Sequence, residues 1–132
     1  MPEAAGDLTI NTAAMECVRR FLQAEHRQDL IRYRILLHDD VVIRVGDDIV
    51  AMGATDVATL AAREWSAAPE ARKTVDELGV ASGLITVRYR VSDGVIPGRE
   101  MHPQALDGHS TYEVQDDKVL RVWHRLTISD SN

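Results

Sequence analysis

The sequence predicts an α+β domain, with three N-terminal helices packed on a curved, mainly antiparallel sheet. Three observations lead there. Apolar residues in three early segments recur every three to four positions, the period of an amphipathic helix, whereas beyond Pro69 the period becomes two, that of half-buried strands. The chain has 132 residues, 45% of them apolar, enough for one compact core and too few for two.

Residues 1–11 read as a flexible lead, leaving residues 12–132 as a single domain. From Ala13 to Arg27 the stripe Ala14, Cys17, Val18, Phe21 and Leu22 marks the first helix, with Thr12 as its cap. Asp29 caps a short second helix through Leu37, with Leu30, Tyr33 and Leu37 on one side. The β-branched run Val41-Val42-Ile43-Arg44-Val45, closed by Gly46, reads as a strand. Thr55 or Asp56 opens a third helix, whose inner face carries Val57, Leu60, Ala61, Glu64 and Trp65 and which stops before Pro69. Strands follow at about 72–80, 84–91, 106–115 and 118–128, turned at Gly83 and at Asp116-Asp117-Lys118. The stretch Ser92 to Gln104 is long for a hairpin and reads as a pocket lid.

Strand alternation sorts the side chains. On the last strand Leu120, Val122, His124, Leu126 and Ile128 share a face opposite Arg121, Trp123 and Arg125. Ile85, Val87, Tyr89 and Val91 likewise oppose Thr86, Arg88 and Arg90. One face is apolar and meets the helices. The other is polar, with one tryptophan.

Charge excludes several functions. Fifteen basic against 21 acidic residues leave a net charge of −6, and the arginines are scattered, so no basic stripe for nucleic acid is expected. Cys17 is the single cysteine, too few for a disulfide framework or a cysteine zinc cage. No apolar run reaches the ~20 residues of a membrane span. With no basic-then-apolar start, the expected location is the cytoplasm. His102, Asp107 and His109 have metal-ligand chemistry, but Asp107 and His109 have the parity opposite to Ser110, so no metal site is assigned.

Three stretches carry a family resemblance: His38-Asp39-Asp40-Val41-Val42, Arg63-Glu64-Trp65, and Asp117-Lys118-Val119-Leu120-Arg121-Val122-Trp123-His124. With the order of elements over about residues 13–128, the chain resembles the SnoaL-like polyketide cyclases and hydroxylases of the nuclear-transport-factor-2-like superfamily. The resemblance implies a cystatin-like cone, an α+β barrel whose helices close over a concave sheet to leave a deep, mostly apolar cavity. Relatives with known chemistry can be tested position by position. The ketosteroid isomerase oxyanion tyrosine falls on Phe21, its base on Val45 and its second oxyanion acid on Ser110. The epoxide hydrolase set falls on Val91, Tyr89 and His124, with Ile43 and Val45 as water holders. The cyclase aspartate falls on His124 and its histidine near Ser110. The isomerase and hydrolase sets are thus absent, and position 124 faces the cavity in the comparisons that reach it.

The resulting expectation is a cofactor-independent enzyme acting on a flat, hydrophobic, polyketide-like molecule. His124 is the candidate acid/base, since an unperturbed imidazole titrates near neutrality. Tyr89, Tyr112 and Ser110 would bind a substrate oxygen, Trp65 would stack on the ring system, and Phe21, Val45 and Val91 would line the pocket. That pocket is expected to be nearly uncharged. Arg88, Arg90, Arg121, Arg125 and Glu113 around Trp123 suggest a homodimer formed through the outer sheet face. The alternative is a non-catalytic ligand-binding or protein-interaction module of the same fold.

Overall fold

The computed structural model describes residues 2–97 and 102–129, with side chains from residue 11 onward. Its elements run α1 (Pro2–Arg27), α2 (Leu30–Ile35), β1 (Leu37–Val45), β2 (Asp48–Met52), α3 (Ala54–Ala67), β3 (Arg72–Ala81), β4 (Leu84–Gly94), β5 (Gln104–Gln115) and β6 (Lys118–Ile128). The six strands form one sheet in the order β2-β1-β6-β5-β4-β3. Among the described residues only the β1–β6 pair is parallel. The α+β expectation stands, with the third helix following a β1–β2 hairpin where the sequence predicted a single strand.

Local chemistry accounts for most boundaries. The Asp29 side chain accepts a hydrogen bond from the Arg32 amide at 3.2 Å, starting α2 as its cap. Ser82 and Gly83 both take positive φ (52° and 78°), as do Asp116 and Asp117 (56° and 57°). Two-residue turns of that kind match the twist of paired strands, so they close β3–β4 and β5–β6 tightly.

Several boundaries differ from expectation. Helix α1 starts at Pro2, so Thr12 lies inside the helix rather than capping it. Helix α2 ends at Ile35, and Leu37 already belongs to β1, buried beneath the sheet's first pairing with Val119. Strand β2 was not expected: its burial alternates too weakly to stand out in five residues. Gly53, not Thr55 or Asp56, precedes α3, with φ of 88°. Asp56 instead accepts a hydrogen bond from the Met52 amide at 3.0 Å, and Thr55 accepts one from Arg34. The predicted lid shortens, because β4 runs on to Gly94 and β5 begins at Gln104. Part of it, residues 98–101, lies outside the described residues.

The main core lies between helices and sheet. Cys17, Val18, Phe21 and Ala24 of α1, Tyr33 of α2 and Val57, Ala58 and Ala61 of α3 pack on Val41, Ile43, Ile85, Val87, Tyr89, Tyr112 and Val122. Burying a side chain of this size contributes about 1.5–3 kcal/mol. Irregularities interrupt the ladders, one between Val75 and Glu77 and one between Glu113 and Val114. The second gives β6 an extra residue at Leu120, so the alternation slips there and Val119, not Leu120, joins the main core. From Val122 onward the predicted parity holds.

Candidate functional site

Where helices and sheet diverge they leave a cavity of about 340 Å³. Its lining comes from every helix and from five strands: Phe21, Leu22 and Glu25 of α1; Tyr33 of α2; Leu60, Glu64 and Trp65 of α3; Ile43, Lys73, Tyr89, Val91, Tyr112, Val122 and His124 of the sheet. Gly94, Val95 and Pro97 close one side, so the predicted lid segment does contribute wall. Small-molecule sites span roughly 300–1,000 Å³ and combine apolar walls with a few convergent polar groups, which describes this space.

Three aromatic rings build the helical side. Phe21 stacks on Tyr33 with centroids 4.5 Å apart and meets Tyr112 edge-on at 6.1 Å. Trp65 lies edge-on to Tyr33 at 5.3 Å. Trp65 therefore both packs the core and presents surface to the cavity.

A polar relay crosses the sheet floor. Cross-strand register sets Val87 opposite Ser110, Tyr89 opposite Gly108 and Ser110 opposite His124, so the relay residues sit on adjacent strands of one face. Tyr89 Oη lies 2.7 Å from Ser110 Oγ, which lies 2.6 Å from His124 Nδ1; Tyr89 Oη is also 3.4 Å from that nitrogen. Gly108 makes this possible. A Cβ there would come within 2.3 Å of the Tyr89 ring, so only a bare backbone lets the ring lie across β5. Running Tyr89 to Ser110 to His124, every hydroxyl proton finds an acceptor; reversed, the Tyr89 proton is left without one among the described residues. The forward direction assigns the imidazole proton to Nε2.

A second polar group faces the same cavity. Lys73 Nζ donates to Glu25 Oε1 at 2.6 Å and sits 4.3 Å from the centroid of the Tyr89 ring, a cation–π contact. Glu64 also lines the cavity, and among the described residues its carboxyl forms no hydrogen bond or ion pair.

Electrostatics separates these groups. Burial, reinforced by the nearby Lys73 charge, pushes His124 down to about 3, so its imidazole is neutral at physiological pH. Burial alone would lower Lys73, but Glu25, the tyrosines and the Glu25 hydrogen bond outweigh it and raise it instead. Glu64 is pushed up to about 8, first by burial and then by Glu25, with Lys73 opposing. Burial raises Tyr89 and Tyr112 as well, leaving both as neutral donors.

Of the predicted site residues, Phe21, Trp65, Tyr89, Val91, Tyr112 and His124 do line the cavity. Two do not. Val45 is buried in a separate cluster with Ile96 and Leu106, because β1 turns out of the cavity wall after Ile43. Ser110 is wholly buried behind Tyr89 and His124 and orients them. Two further corrections are electrostatic. His124 does not titrate near neutrality, and the pocket is not uncharged, since Glu25, Glu64 and Lys73 all reach it. A signal for this existed in the helices: Glu25 falls four residues after Phe21, and Glu64 four after Leu60, both on core-facing stripes. Asp107 and His109 are exposed, and among the described residues no three metal-binding side chains converge.

The profile of the SnoaL-like domain matches residues 18–122. The chain belongs to the SnoaL-like family. Solved structures agree on its fold. An uncharacterised cystatin-fold protein from Novosphingobium aromaticivorans superposes with a TM-score of 0.74 at 19% identity, covering 84% of this chain and 96% of that one. An epoxide hydrolase from M. tuberculosis, of the LEH-like type, gives 0.69 at 20% identity over 88% and 84% of the two chains. A proposed polyketide cyclase from Sinorhizobium meliloti gives 0.66 at 19% over 83% and 93%. A search of curated proteins finds no significant sequence match. At these identities the structural neighbours speak for the SnoaL-like fold alone, so chemistry must be argued from this chain's own cavity. No helix among the described residues is long and apolar enough to cross a membrane.

Proposed function

We propose that this SnoaL-like domain is a cofactor-independent enzyme that binds a flat, hydrophobic, polyketide-like carbonyl compound and performs acid/base chemistry of the cyclase or hydroxylase type. The observation that carries the reading is the relay of Tyr89, Ser110 and His124 in the floor of an otherwise largely apolar, ring-walled cavity. With Nδ1 occupied by Ser110, the Nε2–H of His124 is the donor left for a ligand. A neutral imidazole in a dry site donates to a carbonyl oxygen, and more strongly to the oxyanion that forms when a neighbouring carbon loses its proton. His124 thus keeps its place as the candidate catalytic residue, acting as a neutral hydrogen-bond donor. Tyr112 is the further donor and Tyr89, whose proton goes to Ser110, orients the relay, while Trp65, Phe21 and Val91 hold the ring system. Several relatives of similar fold bear names of polyketide cyclases and hydroxylases, which favours this substrate class without specifying the reaction. The reading includes a cytoplasmic location and a homodimer formed through the outer face that carries Trp123.

The test uses 2-tetralone, a flat bicyclic ketone. Binding is followed by quenching of tryptophan fluorescence, and deuterium exchange next to the carbonyl is followed by proton NMR. The protein is expected to bind the ketone and accelerate exchange over buffer. His124→Ala should lose about 100-fold or more of that acceleration with binding kept. Binding with no acceleration by the unaltered protein would return the cavity to a non-catalytic carrier. Light scattering that finds a single-chain mass would remove the dimer.

A further inference from the structure

We propose that Glu64 is the catalytic residue that exchanges a proton with the substrate, in the cavity it shares with the Lys73–Glu25 pair and His124. The inference rests on the reading of the cavity as an acid/base site and supplies the proton carrier that this reading lacks. His124 is held neutral by its surroundings and is committed through Nδ1 to Ser110, so it cannot cycle a proton at neutral pH. Tyr89 and Tyr112 are held protonated by burial. The Lys73 ammonium is pinned by Glu25 and by the Tyr89 ring. His26, at the cavity edge, is exposed, which leaves one titratable group inside the cavity with no side-chain partner among the described residues, the Glu64 carboxyl.

Its placement suits the task. Glu64 and Trp65, both of α3, line the same cavity, so the carboxyl shares the ligand space with the surface expected to stack the substrate ring. Glu64, Lys73 and His124 all line the one cavity, so carboxyl, ammonium and imidazole face the same ligand space. The titratable groups that line the cavity with Glu64 are Glu25 and His26 of α1, Tyr33 of α2, Lys73 of β3, Tyr89 of β4, Tyr112 of β5 and His124 of β6. Of these, Glu25 raises the proton affinity of Glu64 and Lys73 lowers it, after burial has raised it most. The balance falls at about 8, where the acid and base forms are both accessible near neutrality.

The step balances without another reactant. The Glu64 carboxylate takes the proton from the carbon beside the carbonyl, and the C–H electron pair becomes the enolate double bond. The charge moves to the carbonyl oxygen, which accepts from His124 Nε2–H. The Glu64 carboxyl then returns the proton to carbon or oxygen, and Glu64 is carboxylate again. The ligand class narrows accordingly to flat ketones with an acidic C–H next to the carbonyl.

The experiment is the same 2-tetralone exchange, run from pH 6 to 9.5. In the unaltered protein the rate should rise with pH and level off above a midpoint of about 8, as the carboxylate form accumulates. Glu64→Gln should lose about 100-fold or more of the exchange while quenching still reports binding. Lys73→Met removes the nearby cation and leaves the Glu25 carboxylate, so the midpoint should move to higher pH. Infrared spectroscopy adds a readout free of ligand and of turnover: a protonated-carboxyl C=O band at pH 7, absent from Glu64→Gln. Exchange by Glu64→Gln at the unaltered rate would overturn the role of Glu64 and leave the acid/base reading standing. No exchange by the unaltered protein would overturn the acid/base reading itself. Loss of exchange in Glu64→Gln with an infrared band unchanged from the parent would overturn Glu64 as the proton-holding group.

Discussion

The two faces of the sheet carry ion pairs of the same chemistry in different surroundings. On the outer face Arg88 meets Glu77 at 3.1 Å, Arg90 meets Asp76 at 3.0 Å and Arg121 meets Glu113 at 2.7 Å, all with a third or more of at least one side chain exposed. On the inner face Lys73 meets Glu25 at 2.6 Å, with side chains only 18% and 29% exposed. Distance does not separate these pairs. Water does: outside, solvent screens both charges and would solvate either one alone, whereas inside, each charge depends on the other and on the Tyr89 ring. The outer pairs therefore decorate the sheet, while the inner pair sets the electrostatics of a site.

That contrast can be broken experimentally. The largest effect is expected from Glu25→Gln, which leaves the Lys73 ammonium unpaired at the cavity and should cost about 2–3 kcal/mol in chemical denaturation. If it costs no more than an outer-face change, the inner pair is solvated and the comparison fails. Gly108→Ala comes next, since its Cβ would press on Tyr89; about 1–3 kcal/mol is expected, with the relay displaced. A third test uses pH. His124 is held at about 3, below its ordinary value of 6.5, so it contributes stability that is full above 6.5 and is lost as pH falls toward 3. His124→Gln should flatten that part of the stability profile, and an unchanged profile would show an imidazole open to water. The smallest effect is expected from Glu113→Gln on the outer face, below about 1 kcal/mol and shrinking further with added salt.

Much of the fold was legible because it is locally encoded. The α1 stripe from Ala14 to Leu22, the Asp29 cap and the turns at Gly83 and Asp116-Asp117 depend on neighbours within a few residues, and each appears in the structure as read. Strand parity placed Tyr89, Tyr112 and His124 on the cavity face for the same reason. Where local signals were weak or misleading, the reading erred. The short strand β2 has little alternation, and Val45 keeps the parity of Ile43 yet leaves the cavity because the β1 pairing with β2 shifts register after that residue. The charged part of the site was harder still. Glu25 and Glu64 sit on apolar helical stripes, but the spacing of each says nothing of the other or of Lys73, forty-eight positions from Glu25.

The sequence by itself therefore determined all the elements but β2, the two hairpin turns, the −6 charge and the division of side chains between two sheet faces. Periodicity and backbone preference act over a turn of helix or a pair of residues, and such information is present in the order of the chain. Tertiary structure alone decided the parallel β1–β6 pairing, the cavity and the ionisation of the groups inside it. A proton affinity sums desolvation and Coulomb forces from every atom within a few ångströms. For Glu64, His124 and Lys73 those atoms come from helices and strands far apart in sequence, and only folding brings them together.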